Sequence, residues 1–196
     1  MNTTARLLAA ICLVLQLAAC GEHLGDYSVE TVKLVTDTSI PAEHRPSPTY
    51  GEYLEIQLAS QTNLVEIGDK LDGVYVDADS CPLHDPNGFI AFGPFGDDGQ
   101  DLGVPSAAPA LRVHRDGRSR YRIFLAVGYR GRPATKPGQI ELPTYDLRNA
   151  NRDVCLRLSA PGYNLIKSRS DTIRVPVSVI AAALKQGGFT AQRSSS

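Results

Sequence analysis

The sequence predicts an all-β domain, an antiparallel β-sandwich of about eight short strands, immunoglobulin-like or similar, with little helix outside the signal peptide at residues 1–19. Three observations carry this expectation. Short runs alternate apolar and polar residues with the period of a strand. Turn residues separate the runs, with 17 glycines and 13 prolines in 196 residues. Helical periodicity is almost missing. A partly open β-barrel is the alternative. The inter-sheet tryptophan of antibody domains cannot be present, because the chain has no Trp. No internal repeat points to a propeller or solenoid.

The elements follow in order. Residues 27–36, YSVETVKLVT, are β-branched and predict a first strand. Residues 37–51 carry three prolines and predict a loop. In residues 52–59, Leu54, Ile56 and Leu58 share one face, while Tyr53, Glu55 and Gln57 share the other. That pattern predicts a half-buried strand. Residues 63–67 and 73–78 are shorter strand candidates. Residues 80–103 are rich in Gly, Pro and Asp around one apolar run, Phe89-Ile90-Ala91-Phe92.

The clearest strand is 120–130, with Tyr121, Ile123, Leu125, Val127 and Tyr129 on one face and Arg120, Arg122 and Arg130 on the other. A short strand is expected near 139–142. Residues 153–159 alternate again, with Val154, Leu156 and Leu158 inward and Cys155 opposite. Ala160 to Tyr163 reads as a turn. Residues 171–179 read as the last strand, with Ile173, Val175, Val177 and Val179 inward. Pro176 has no amide to donate and predicts an edge or a bulge there. One or two helical turns over 179–185 should end at Gly187-Gly188.

The first 19 residues read as an export signal. Arg6 is the only charged side chain before Cys20. The apolar run from Leu7 to Ala19 is shorter than the roughly 20 residues a membrane-spanning helix needs. Its end, Leu17-Ala18-Ala19-Cys20, resembles the lipobox of bacterial lipoprotein precursors. The resemblance implies cleavage before Cys20 and lipidation (palmitate) of its thiol and new amino terminus. Each buried lipid methylene contributes about 0.8 kcal/mol, so two or three chains anchor a protein firmly. The resemblance also implies the outer membrane, because Gly21 stands where an aspartate would favour retention at the inner membrane. The implied organisation is a signal peptide at 1–19, a lipidated terminus and tether at 20–26, one sandwich domain at 27–186 and a flexible tail at 187–196.

With Cys12 removed in the leader and Cys20 lipidated, Cys81 and Cys155 remain. Two cysteines in an exported chain predict one disulfide. Closing that loop would stabilise the fold by roughly 4 kcal/mol. The formal charge of −1 argues against a general nucleic-acid binder.

Two charged segments stand out. Glu66 to Asp101 holds nine acids and one lysine. Asp77, Asp79, Asp97, Asp98 and Asp101 form a candidate calcium set, since calcium prefers carboxylate and carbonyl oxygens. Their spacing is not that of an EF-hand, and no other cofactor is indicated. Arg112 to Arg132 holds seven arginines and one acid. Arg112, Arg115, Arg118, Arg120 and Arg122, around a turn at Arg115-Asp116-Gly117, form a candidate surface for an anionic partner. Pairing of this segment with the acidic one is the alternative.

For catalysis, His84-Asp85 and His114-Arg115-Asp116 could supply a base and an orienting acid, but no G-x-S-x-G or H-E-x-x-H motif occurs. The expectation is a non-enzymatic, lipid-anchored module that recognises another envelope protein or an incoming one, in the manner of an immunity or inhibitor lipoprotein. A carrier of a small polar ligand or calcium, and an envelope hydrolase, are the alternatives.

Overall fold

The computed structural model describes residues 23–68, 73–83, 88–103, 114–131, 143–160 and 168–191. The expected signal peptide, Cys20, Arg112, His84, the expected strand near 139–142 and most of the expected turn at 160–163 lie outside the described residues.

The domain is all-β, with two antiparallel sheets and low helix content. The first sheet holds β1 (Ser28–Thr36), β2 (Glu52–Ser60), β4 (Ala91–Gly96) and β5 (Ser119–Ala126), in the order β1-β2-β5-β4. The second holds β3 (Tyr75–Ser80), β8 (Val154–Ala160) and β10 (Ile173–Val175), in the order β10-β8-β3. The two-residue β9 (Ser168–Arg169) pairs with the end of β8. A small ribbon joins β6 (Gly128–Tyr129) to β7 (Tyr145–Asp146).

Strand parity places the core as expected. Leu54, Ile56 and Leu58 of β2, Tyr121, Ile123 and Leu125 of β5, and Val154, Leu156 and Leu158 of β8 are all buried in one cluster. Residues from both sheets build this core. It reaches further back than the expected tether, because Leu24 is fully buried in it. Leu24 N–H also donates to Arg169 O at 3.0 Å. Residues before 27 therefore already pack into the core.

The half-buried reading of β2 is corrected. Tyr53 and Glu55, on its other face, are buried too. A second apolar cluster of Ile40, Tyr53, Phe95, Phe124 and Ala126 lies on that face. Ile40 belongs to the proline-rich stretch 37–51, so this loop supplies part of the cover.

The strand expected at 63–67 is instead a short helix that begins at Leu64. Asn63 Oδ1 accepts the Val65 N–H at 3.1 Å, and Asn63 Nδ2 donates to Glu66 Oε1 at 2.9 Å. This side-chain pairing favours α1 (Leu64–Gly68) over an extended chain.

The expected strand 171–179 is cut short. It stops at Val175, and α2 (Val177–Ala191) follows and runs through Gly187-Gly188. Ile180 and Ala183 are buried and Leu184 is partly buried, the spacing of one helix face. Val179, expected inward, is 39% exposed. Asp153 Oδ1 accepts the Val177 N–H at 2.8 Å and so satisfies a donor the helix start leaves free. Residues 187–191, expected in the tail, continue the helical backbone.

The predicted disulfide is present. Cys81 and Cys155 are joined across a sequence separation of 74, with Cα atoms 5.0 Å apart. Cys155 pairs in register with Asp79 and Arg174, on the face away from Leu156. The bond ties the end of β3 to its neighbour β8.

The strand directions define two ends. At one, which we call the tether end, His23–Tyr27 enter, β2 and β4 finish and β5 starts. At the other lie the start of β2, the end of β5, the β6–β7 ribbon and the disulfide.

Candidate functional site

The five aspartates of the calcium expectation do not form one set. Asp77 and Asp79 lie in β3, on the face opposite Ala78. Arg157 donates to Asp77 Oδ2 at 3.2 Å from Nη2. Asp79 is buried and accepts the Ser80 N–H at 2.6 Å. Asp97, Asp98 and Asp101 lie instead in a turn at the end of β4, in the first sheet. Asp98 Oδ1 accepts the Gln100 N–H at 3.1 Å, and Asp101 Oδ1 accepts the Gly103 N–H at 2.8 Å. Among the described residues, the group with metal-ligand spacing is His23, Asp26 and Asp171, all exposed and none of them in the expected set.

The arginines divide three ways. Arg115 and Arg118 are exposed in a tight turn closed by His114 N–H to Arg118 O and Gly117 N–H to His114 O, both 2.9 Å. Gly117 has φ +73°, which suits glycine. Arg120 is committed elsewhere. Its guanidinium forks Glu30 at 2.8 and 3.2 Å and reaches Asp116 at 2.8 Å. These partners raise the Arg120 pKa above its ordinary value. Asp116 is held below the usual carboxylate range by the Arg118 N–H first and by Arg120 second. Arg122 lies along the second apolar cluster, 5.9 Å from the Phe124 ring centre. The acids that take Arg120 are thus Glu30 of β1 and Asp116 of its own turn, neither a member of the acidic segment.

Each described histidine meets a carboxylate. His23 Nε2 is 3.2 Å from Asp171, and His44 Nδ1 is 3.1 Å from Asp101. His114 pairs with Asp97, and not with its sequence neighbour Asp116. Two of these pairs flank the Asp97–Asp101 turn.

At the end opposite the tether, the fold gathers aromatic rings from four separate segments. Tyr50 stands 6.0 Å from both Phe92 and Tyr129, ring centre to ring centre. Tyr129 is 6.3 Å from Tyr145, and Tyr145 is 4.7 Å from Phe89. Tyr53 is fully buried beneath them; its hydroxyl accepts the Tyr50 N–H at 3.0 Å and shares a hydrogen bond with the Thr49 hydroxyl at 3.4 Å. The other five rings are half-buried, with one side toward water. Tyr145 is fixed by its hydroxyl, which accepts the Ile90 N–H at 2.9 Å. Burial pushes its pKa up to about 12. An Arg148–Glu52 ion pair and the exposed Arg130 lie around the same end. Such a patch offers rigid apolar area with polar margins, the composition of a protein-binding surface.

No protein-family model, curated protein or solved structure matches this chain.

These rings are spread from Tyr50 to Tyr145, too far apart for strand period to gather them. A local signal was there. Tyr50-Gly51, Phe92-Gly93 and Gly128-Tyr129 each set a ring beside a glycine where a strand starts, bends or ends.

Proposed function

We propose that this chain is a lipid-anchored protein of the bacterial cell envelope, attached through Cys20, whose domain is a non-enzymatic binding module for another protein. The two sheets are read as a sandwich of immunoglobulin-like kind. The observation that carries the binding reading is the half-buried aromatic group Tyr50, Phe89, Phe92, Tyr129 and Tyr145 at the end away from His23. Tyrosine-rich, partly exposed surfaces concentrate binding energy at protein interfaces. A lipid three residues before His23 would leave that end free to project from the membrane. The partner is another envelope protein or an incoming one, and capping an incoming toxic enzyme is the sharpest form of this role. Gly21 supports the outer membrane as the site of attachment.

Two experiments test the reading. Labelled palmitate should enter the wild-type chain and not Cys20→Ala; label in the variant contradicts the anchor. Cross-linking in envelope extract should recover a partner with the wild-type chain. A Tyr50→Ala, Tyr129→Ala double variant should lose that partner while keeping a cooperative melt. A chain that stays alone under all conditions contradicts the binding role.

A further inference from the structure

We infer that the turn carrying Arg115 and Arg118 docks the tether end onto the anionic phosphate headgroups of the bilayer that holds the lipid. The inference rests on the anchored reading above. Cys20 stands three residues before His23, and a chain spans at most about 3.6 Å per residue. The lipid-bearing residue therefore lies within about 11 Å of His23. A headgroup layer is about 5–8 Å deep in each leaflet, so this end of the domain is held against it. His23 is not itself a loose link, because it bridges Arg169 and the next residue, Leu24, is buried in the core.

The side chains at this end suit phosphate. Arg118 lines a cleft of about 380 Å³ together with Gly25 and Asp26, beside the entering chain. Arg115 sits in the same exposed turn, and Arg169 is exposed next to His23. None of these three arginines has a carboxylate partner among the described residues. The acids at this end are engaged locally: Asp116 with Arg120 and the Arg118 amide, Asp26 and Asp171 around His23, Asp97 with His114, Asp101 with His44, and Asp98 with the Gln100 amide. A guanidinium can grip a phosphate with two parallel hydrogen bonds. Each arginine at an anionic leaflet strengthens association about fivefold, so the pair contributes about 25-fold.

The chain has no tryptophan, so one introduced ring reports alone. Gln61→Trp places it on an exposed residue lining the same cleft. The full chain, acylated in bacterial cells, is reconstituted into vesicles of phosphatidylethanolamine and phosphatidylglycerol doped with headgroup-labelled quencher lipid. Strong quenching is expected there, with little in phosphatidylcholine vesicles or in high salt. Arg115→Ala with Arg118→Ala should shift the docked-to-free ratio by about 25-fold, and Arg152→Ala, at an exposed arginine just before β8, should leave the quenching unchanged. Equal quenching in the double variant, or in phosphatidylcholine, overturns the docking. So does a double variant that keeps its quenching but loses a cross-linked protein, since an acidic protein is then the ligand. Labelled palmitate on the same preparation separates the two readings. An unlabelled chain overturns the anchor and the docking with it, whereas a labelled chain with an unquenched Trp overturns the docking alone.

Discussion

Tyr121 joins two parts of the molecule through one hydroxyl. It accepts the Leu64 N–H at 3.0 Å and donates to Thr62 O at 2.6 Å. Its ring is fully buried, and that burial raises its pKa above the ordinary tyrosine value. Replacing it with Phe keeps the ring and strands both backbone groups. Tyr121→Phe should therefore cost about 1–3 kcal/mol in urea unfolding, with α1 loosening first in hydrogen exchange. A cost near zero would mean that water replaces the hydroxyl. The same scale explains why the histidine contacts were hidden. His114 and Asp97 lie 17 residues apart and meet only because the end of β4 lies beside the turn that leads into β5. Adjacency of His114 and Asp116 in sequence pointed the wrong way, since Asp116 turns to Arg120.

At the scale of elements, α2 depends on a residue from outside it. Asp153 accepts the Val177 N–H and receives the Arg174 guanidinium. The amide first and the arginine second lower its pKa below the usual 3.8. A lowered folded-state pKa favours the fold at pH above about 3.8, and that contribution is lost as the pH falls through the folded value. Asp153→Asn should thus be less stable than wild type at neutral pH, and the gap should close in acid. A gap that stays constant down to the acid limit would contradict the assignment.

This helix also marks where the sequence was hard to read. Val175, Val177 and Val179 continue a strand's alternation, yet Pro176 ends the strand, and Ile180, Ala183 and Leu184 then repeat at helical spacing. The core faces of β2, β5 and β8 were legible because strand period alone sets them. The outer face of β2 was not, because Ile40 comes from a segment whose prolines read only as loop. β1 shows a further device. Its pairing with β2 shifts between Val29 and Thr31, placing Glu30 in a bulge on a sheet edge. A bulge and a charge on an edge strand discourage pairing with another chain.

At the scale of the whole molecule, the exposed arginine turn and the aromatic surface occupy different ends. The arginine turn, the Asp97–Asp101 turn and the entering chain share one end, and the Tyr50–Tyr145 rings share the other. The disulfide sits at the ring-bearing end and closes a long loop, so its chief effect is on the unfolded chain. Reduction should lower stability by roughly 4 kcal/mol, read as a shift in the denaturant midpoint. Strand core within β3 and β8 should stay paired in the remaining folded fraction. The cysteine pairing was legible because the lipobox resemblance sets Cys12 and Cys20 apart and leaves Cys81 and Cys155 as the one pair. The gathering of rings was not, since it depends on how β2, β4, β6 and β7 converge.

The two-ended arrangement is tested most directly by placing a photo-reactive side chain at one end or the other in living cells. At position 130, beside the rings, irradiation should join the chain to a partner protein. At position 61, beside the entering chain, it should join the chain to lipid. A partner protein captured at position 61 and none at position 130 would contradict the account.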